Sequence, residues 1–225
     1  MRKTKIEWTD YVFNPIKGLC PVNCKLPDGR GYCYARAIYK RFKLNPELRY
    51  EHDYPEQKQL FYCKPKTKVF VCSTIEIFHP KVKKEWRDLV FLNIENTPHI
   101  TFQILTKMPE NIDRPMPDNV HLGVSVTKNR DAWRVKATHN RWAIKFISFE
   151  PLLDYIDIEK FDISEIDWMI VGKLTGHGRK YAPKKEWIQN IVYEAKEMEI
   201  PVFLKDNLGE IWEDKLMQEF PGKDK

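Results

Sequence analysis

A parallel α/β fold, closed wholly or in part into a (β/α) barrel of the TIM-like kind, is what this sequence predicts, and three observations predict it. Six short runs of apolar, β-branched and aromatic residues recur along the chain. Each is nearly continuously apolar, as a strand covered on both faces must be. The intervals between them carry helical patterns, so strands and helices alternate as in parallel β/α units. The runs also end in polar or ionisable residues, which suits a barrel whose site gathers at the C-terminal strand ends.

In chain order the runs are residues 68–72, 99–105, 120–126, 143–149, 167–172 and 201–204, with one further strand expected near the N-terminus. Residues 79–96 place Val82, Trp86, Leu89, Val90 and Leu92 near helical spacing, and residues 184–199 do the same with Trp187, Ile188, Ile191, Val192 and Ala195. No internal repeat or low-complexity segment interrupts the rhythm, so a single domain over residues 1–225 is expected. The polar run ends are Cys72 to Glu76, Thr106-Lys107, Ser125 to Thr127, Ser148 to Glu150, Gly172-Lys173 and Lys205-Asp206.

The totals bound the function. With 225 residues, 42% hydrophobic and 31% charged, the chain can bury one sizeable core and is neither disordered nor membrane-spanning in composition. No stretch approaches the roughly 20 apolar residues of a membrane helix. Glu7 and Asp10 fall where a signal peptide needs an apolar run, so a cytoplasmic protein without membrane association is expected. The net charge of +6 suits a phosphate-bearing partner such as nucleic acid. It is equally the charge of an ordinary lysine-rich solvated surface, because it is spread along the chain.

The five cysteines, with no export signal, do not read as a disulfide framework. Three crowd into a Cys-x3-Cys-x8-Cys arrangement, Cys20, Cys24 and Cys33, while Cys63 and Cys72 stand apart. Gly18, Pro21, Pro27, Gly29 and Gly31 make residues 15–36 a loop able to bend round a compact ligand. The stretch from Tyr34 looks helical, which puts Cys33 at a helix N-terminus, where a thiolate is favoured. Three readings stand at this point. A zinc-stabilised nucleic-acid-binding protein would need a fourth ligand, Cys63, Cys72 or a histidine. A cubane iron–sulfur cluster would be held by three thiolates with one iron left open. The third reading is three unligated thiols.

One resemblance runs through nearly the whole chain. Ile6-Glu7-Trp8-Thr9-Asp10, Asn14-Pro15, Gly18, the three cysteines with Tyr34-Ala35-Arg36, Val69-Phe70-Val71 with Phe78-His79, Phe102 to Lys107 with Pro109-Glu110, Leu122 to Val126, Ser148 to Leu152 and Asp167-Trp168 follow in order. As a set they resemble the phage-associated, radical-SAM-like family of three-cysteine proteins. The resemblance implies a barrel of the radical SAM type, a [4Fe-4S] cluster on Cys20, Cys24 and Cys33, and S-adenosyl-L-methionine as cofactor. It also implies a reductant of the ferredoxin or flavodoxin type. The usual radical SAM loop is Cys-x3-Cys-x2-Cys, so the second gap here is longer. Two further departures are Gly172-Lys173-Leu174-Thr175-Gly176, where the family tends to Gly-Gly-Glu-Ser-Gly, and Cys72 to Glu76, where it tends to Asn-Ser-Met-Ser-Asp.

On that resemblance Glu76, which keeps an acid at its position, is expected to hold the cofactor's ammonium group. Tyr34, Ser73, Gln103, Ser125, Ser148 and Gly172 are expected to line the cofactor, and Lys107 and Glu150 to serve catalysis. Lys107 and Lys205 read equally well as solvated lysines, and Tyr32 and Tyr34 as packing residues. His79 and His177 stand out among the histidines. The substrate expected is a nucleic acid or nucleobase, from the basic balance and from Trp8, Trp133 and Trp142 near Arg and Lys. A degenerate barrel that keeps its cluster without cleaving the cofactor is a further reading. The oligomeric state is not legible.

Overall fold

The computed structural model describes residues 1–52, 54–139, 144–177 and 179–222, in two compact units, Met1–Val120 and His121–Lys225. In the first unit β1 (Arg2–Lys3) pairs antiparallel with β2 (Tyr11–Phe13). Outside this sheet, β3 (Ile16–Lys17) pairs antiparallel with β4 (Arg49–Tyr50), on either side of α1 (Tyr34–Phe42). After α2 (Tyr54–Phe61), β5 (Lys68–Val71) lies parallel between β2 and β6 (Thr101–Thr106). Register is set by burial: Val69, Phe70 and Val71 face Phe102, Gln103 and Ile104, and all six are buried.

The helix expected over residues 79–96 is α3 (Lys84–Glu95), which starts five residues late: Val82 N closes a separate turn on His79 O at 2.8 Å, and Lys83 is extended before the helix begins. Its inner side buries Val90, Phe91 and Ile94. At its far end the Thr97 hydroxyl donates to the Asn93 carbonyl at 2.7 Å, satisfying one of the orphaned C-terminal acceptors.

The second unit carries β7 (Val120–Ser125), β8 (Ile144–Phe149), β9 (Trp168–Val171) and β10 (Val202–Leu204), all parallel and in that order. The expected runs all form strands, shorter by one or two residues at some ends, with Ala143 outside the described residues. The helical crossovers are uneven. α5 (Lys185–Glu197) buries Ile188, Ile191, Val192 and Ala195, whereas β7 and β8 are linked through α4 (Trp133–Lys136), a single turn. Between β8 and β9 the only helix among the described residues is a 3-10 turn, Ile158–Lys160. There Leu152, Ile156, Ile158, Ile163 and Ile166 cover the sheet without helical period. After α6 (Gly209–Trp212) the chain returns along β10: Leu204 N donates to Met217 O at 2.7 Å and Glu219 N to Val202 O at 3.0 Å, so the last strand has no bare edge. Among the described residues no helix is long and apolar enough to cross a membrane.

One glycine is demanded by packing. Gly123 stands opposite Phe146 in the β7–β8 register, and a Cβ there would lie 2.2 Å from the phenyl ring. Gly123→Ala is expected to cost about 1–3 kcal/mol through overpacking, read as a lowered urea midpoint; an unchanged midpoint would mean that the ring has somewhere to go.

Candidate metal centre

The three-cysteine loop is held from outside by short contacts. Gly18 turns with φ 117, and a Cβ there would meet the Glu47 carbonyl oxygen at 2.5 Å, so only glycine lets the two segments touch. Gly18 N donates to the Tyr39 hydroxyl at 2.7 Å, and Leu19 N to Pro46 O at 2.9 Å. Arg36, one turn into α1, donates through Nη2 to the Cys20 carbonyl at 2.6 Å and through Nε to the Val22 carbonyl at 3.4 Å. The arginine thus fixes the ring of backbone that contains the first thiol. Cys33, in extended geometry, is the residue from which α1 begins, as the sequence predicts.

The long second gap is a hairpin. Lys25 and Gly31 form an antiparallel bridge, Leu26 N donates to Arg30 O at 2.8 Å, and Tyr32 N returns to Cys24 O at 3.1 Å. Gly29, at φ 84, makes the turn, with Arg30 paired to Asp28 at 2.8 Å. The chain therefore leaves Cys24 and comes back opposite it, and Cys33 follows at once. Eight intervening residues separate two neighbouring thiols in sequence but hardly in space.

The thiols feel one another's charge. Burial pushes the Cys20 thiol up, the N–H groups of Glu76 and Val22 at its sulfur pull it back, and Cys33 pushes it up again. Burial also raises Cys24, and the Lys107 ammonium counters it. Hydrogen bonds and a cation directed at sulfur are the means by which a protein settles charge on a thiolate-bound metal centre. Behind them sits Glu76, fully buried, its carboxyl raised by desolvation and held against that by donors. Oε1 accepts from the Thr106 hydroxyl at 2.6 Å and Oε2 from Lys107 N at 2.7 Å. Oε2 keeps acceptor capacity beyond that bond.

Among the described residues no group of three or more His, Cys, Asp or Glu side chains is gathered as the ligand set of one metal ion. A mononuclear zinc site draws all its ligands to about 2.0–2.3 Å from a single point, whereas a cubane spreads its thiolates over separate irons. The three thiols of this loop are the kind of donor that either centre takes. Of the fourth zinc ligands offered by the sequence, a histidine or one of two cysteines, the two cysteines stand apart from the loop. Cys72 is completely buried, its thiol pushed up to about 12 by desolvation. Cys63 feels the N-terminal ammonium and Asp10 rather than the other thiols.

The remaining expected residues fall in two sets. In the first unit, Tyr34 donates through its hydroxyl to the Ser73 carbonyl at 2.6 Å, and the Ser73 hydroxyl lies 3.1 Å from the Asn14 amide. Gln103 stands halfway along β6, buried, with Nε2 donating to Trp8 O at 3.2 Å and Oε1 lacking a protein partner. In the second unit, Ser125 and Ser148 are neighbours in register, and the buried Ser148 hydroxyl also lacks a partner. Glu150 forms an ion pair with Lys205 beside Gly172, where a Cβ would crowd the lysine at 2.9 Å. Lys205 is therefore not a solvated lysine. His79 serves its own turn, accepting from Lys81 N at 3.0 Å.

One expectation fails. Trp8 is 1% exposed and packs on Phe70 at 4.8 Å, so it stacks on the core and not on a base. Trp142 lies outside the described residues. Sequence reasoning missed the work of Arg36, Asn14 and Thr106, which were legible only as parts of motifs, and of Asn207, whose amide brackets the backbone of Lys173. A groove of about 650 Å³ in the first unit, lined by Lys66, His99, Thr101, Met116 and Asn119, opens at the N-terminal end of β6, away from the thiols.

The model of the family described as "Protein of unknown function (DUF5131)" matches residues 3–223, and the chain belongs to that family. No curated protein matches it. Among solved structures the chain is similar to a mutant spore photoproduct lyase with bound AdoMet and dinucleoside spore photoproduct, at TM-score 0.56 and 12% identity, over 77% of this chain and 58% of that one. It is also similar to spore photoproduct lyase complexed with dinucleoside spore photoproduct, at TM-score 0.51 and 12% identity, over 76% and 57%. The chain thus spans under three-fifths of those proteins' length. At such identity the likeness shows the fold: an α/β class with a mostly parallel sheet, of the partial TIM-like barrel type, as expected from the sequence.

With a thiol at about 12, Cys72 carries roughly one thiolate in 10,000 at pH 8. Iodoacetamide at that pH is expected to leave Cys72 unmodified in the folded chain and to label it in denaturant, read by peptide mass spectrometry. Rapid native labelling would show that the β5 end is not closed.

Proposed function

From that family membership and that fold, we propose that the chain is a radical S-adenosylmethionine enzyme acting on nucleic acid. Cys20, Cys24 and Cys33 would hold a [4Fe-4S] cluster with one iron open to the cofactor. The observation that carries the reading is the loop itself: its hairpin brings the chain from Cys24 back to Cys33 through the Tyr32-to-Cys24 bond, and Arg36 of the helix that follows Cys33 holds the Cys20 carbonyl at 2.6 Å. When bound, cluster and S-adenosylmethionine supply a 5′-deoxyadenosyl radical by reductive cleavage, and a ferredoxin or flavodoxin type of reductant supplies the electron.

The chain's own residues bind and orient. Glu76 Oε2, fixed by Lys107 N, is an acceptor for the cofactor's ammonium group. Ser73, Tyr34 and Gln103 offer further polar atoms to the cofactor in the first unit; in the second unit Ser125 and Ser148 stand side by side in register, and Gly172 keeps the backbone bare beside Glu150 and Lys205. Lys107 balances negative charge at the thiolates, and the Glu150–Lys205 pair is a fixed dipole for the reacting substrate. In the second unit the segment after β7 supports a nucleic-acid substrate. Trp133 is 50% exposed, with Lys128, Arg130 and Lys136 around it in sequence. Arg134 beside it is held by the Ser125 carbonyl at 2.8 Å and Asp131 at 3.3 Å. The dinucleoside bound to spore photoproduct lyase lends the same substrate class by analogy of fold.

Anaerobic reconstitution is expected to load about four irons per chain and to give a paramagnetic signal on reduction that shifts when S-adenosylmethionine is added and is lost in Cys33→Ala. Uptake of zinc and no iron would end the enzyme reading. Trp133→Ala is expected to weaken binding of a single-stranded oligonucleotide by about tenfold, the worth of one base stack; unchanged affinity at fixed salt would remove Trp133 from the substrate surface.

A further inference from the structure

Helix α1 leaves Cys33 with an apolar side that is largely exposed beyond Tyr34, whose hydroxyl is held by the Ser73 carbonyl. Tyr34, Ile38 and Phe42 recur at one-turn intervals and are 53%, 40% and 61% exposed, and Leu44 just beyond is 45% exposed. Four of the twelve large apolar side chains exposed among the described residues thus lie within eleven consecutive positions. A solvated helix normally turns polar residues outward, and an apolar patch rimmed by charge marks a contact surface. The rim is basic. Between Tyr34 and Leu44 the chain carries Arg36, Lys40, Arg41 and Lys43 and no acid. Arg36 is spent on the cysteine loop, while Lys40, Arg41 and Lys43 are exposed. The helix is anchored through Ala35, which is buried, and Tyr39, which bonds Gly18.

We propose that this face of α1 is the docking surface for an acidic one-electron carrier protein of the flavodoxin or ferredoxin type. The inference rests on the cluster reading above, since it gives the carrier something to reduce. The helix's first residue follows Cys33 directly, so a carrier seated along α1 lies against the segment that leaves the thiol. Nine residues of helix span about 13 Å, a small contact of the size that weak electron-transfer encounters use and too small for a stable dimer. Ile38 and Leu44 are aliphatic and stack on no base, which favours a protein over a nucleic acid. Lysine and arginine around the patch steer an acidic partner and set the salt dependence of its arrival. In the transfer the reduced carrier loses one electron and the cluster gains it, passing from the 2+ to the 1+ state.

The test uses reconstituted full-length protein mixed with reduced flavodoxin, and separately with reduced ferredoxin, following bleaching of the cluster absorbance. The Lys40→Glu/Arg41→Glu pair and Phe42→Ser are each expected to slow reduction by the carrier at least tenfold. The charge-reversed pair should also flatten its salt dependence. Iron content and reduction by dithionite should stay as in the unaltered chain. The proposal is overturned if the variants are reduced by the carriers at the original rate. It is equally overturned if they lose iron, if neither carrier reduces a wild-type cluster that dithionite reduces, or if the same variants lose oligonucleotide binding instead. Should the wild-type chain take up no iron, the cluster reading fails by itself. Titration of oxidised flavodoxin against the purified chain then decides docking separately, and no binding overturns it.

Discussion

A carboxylate buried without water must be surrounded by donors or it will not stay charged. Glu76 meets that constraint in the first unit, and much of the neighbouring geometry follows. Its side chain ties the end of β5 to the end of β6 through Thr106 and the Lys107 backbone, and its own N–H is directed at the Cys20 sulfur. One residue therefore relates two strand ends and one thiol. Three donors hold the carboxyl against the desolvation that raises it, so the arrangement resists displacement of any one member. The sulfur, the carboxyl and the Lys107 charge are a single electrostatic unit, in which a change at one shifts the others.

Around that unit the first 120 residues spend their short, irregular elements on holding the loop. The two-residue strands β3 and β4 contribute little as a sheet; they set Gly18 against Glu47 so that the chain can turn toward Cys20. Arg36 and Tyr39 reach back from α1 to the same turn. The second unit solves a different problem with a different device. A tight ion pair, Glu150 with Lys205, needs a bare backbone beside it, and Gly172 supplies one.

The strands were legible because burial on both faces leaves short, mostly apolar runs, and the helical stretches between them make those runs strands. The position of Cys33 was legible because the helical pattern begins directly after it. What escaped is what two-residue contacts decide. The pairing of β3 with β4, the helix α2 and the coil between β8 and β9 carry no period, and their form depends on partners distant in sequence. The same holds within the site: the cysteines and Glu76 could be picked out by residue type and place. The burial that raises the Glu76 carboxyl and the bond that ties Gln103 to Trp8 come from tertiary packing alone. Trp8 shows the limit most plainly, since a tryptophan among charged neighbours in sequence reads as a surface residue until Phe70 is set against it.

The hairpin between Cys24 and Cys33 separates two lengths that a motif treats as one. Its bridge and its Tyr32-to-Cys24 bond return the chain to its starting point, so the number of residues in the excursion does not set the distance between the thiols it joins. The tip, Asp28-Gly29-Arg30, is solvent-exposed, and no heavy atom stands within 4 Å of a Cβ at Gly29. Such a tip is an open port in the chain. Residues can be added or taken away there, by drift or by design, while the loop around the thiols keeps its shape. A search that fixes the cysteine gap would pass over relatives that differ only in the length of this excursion.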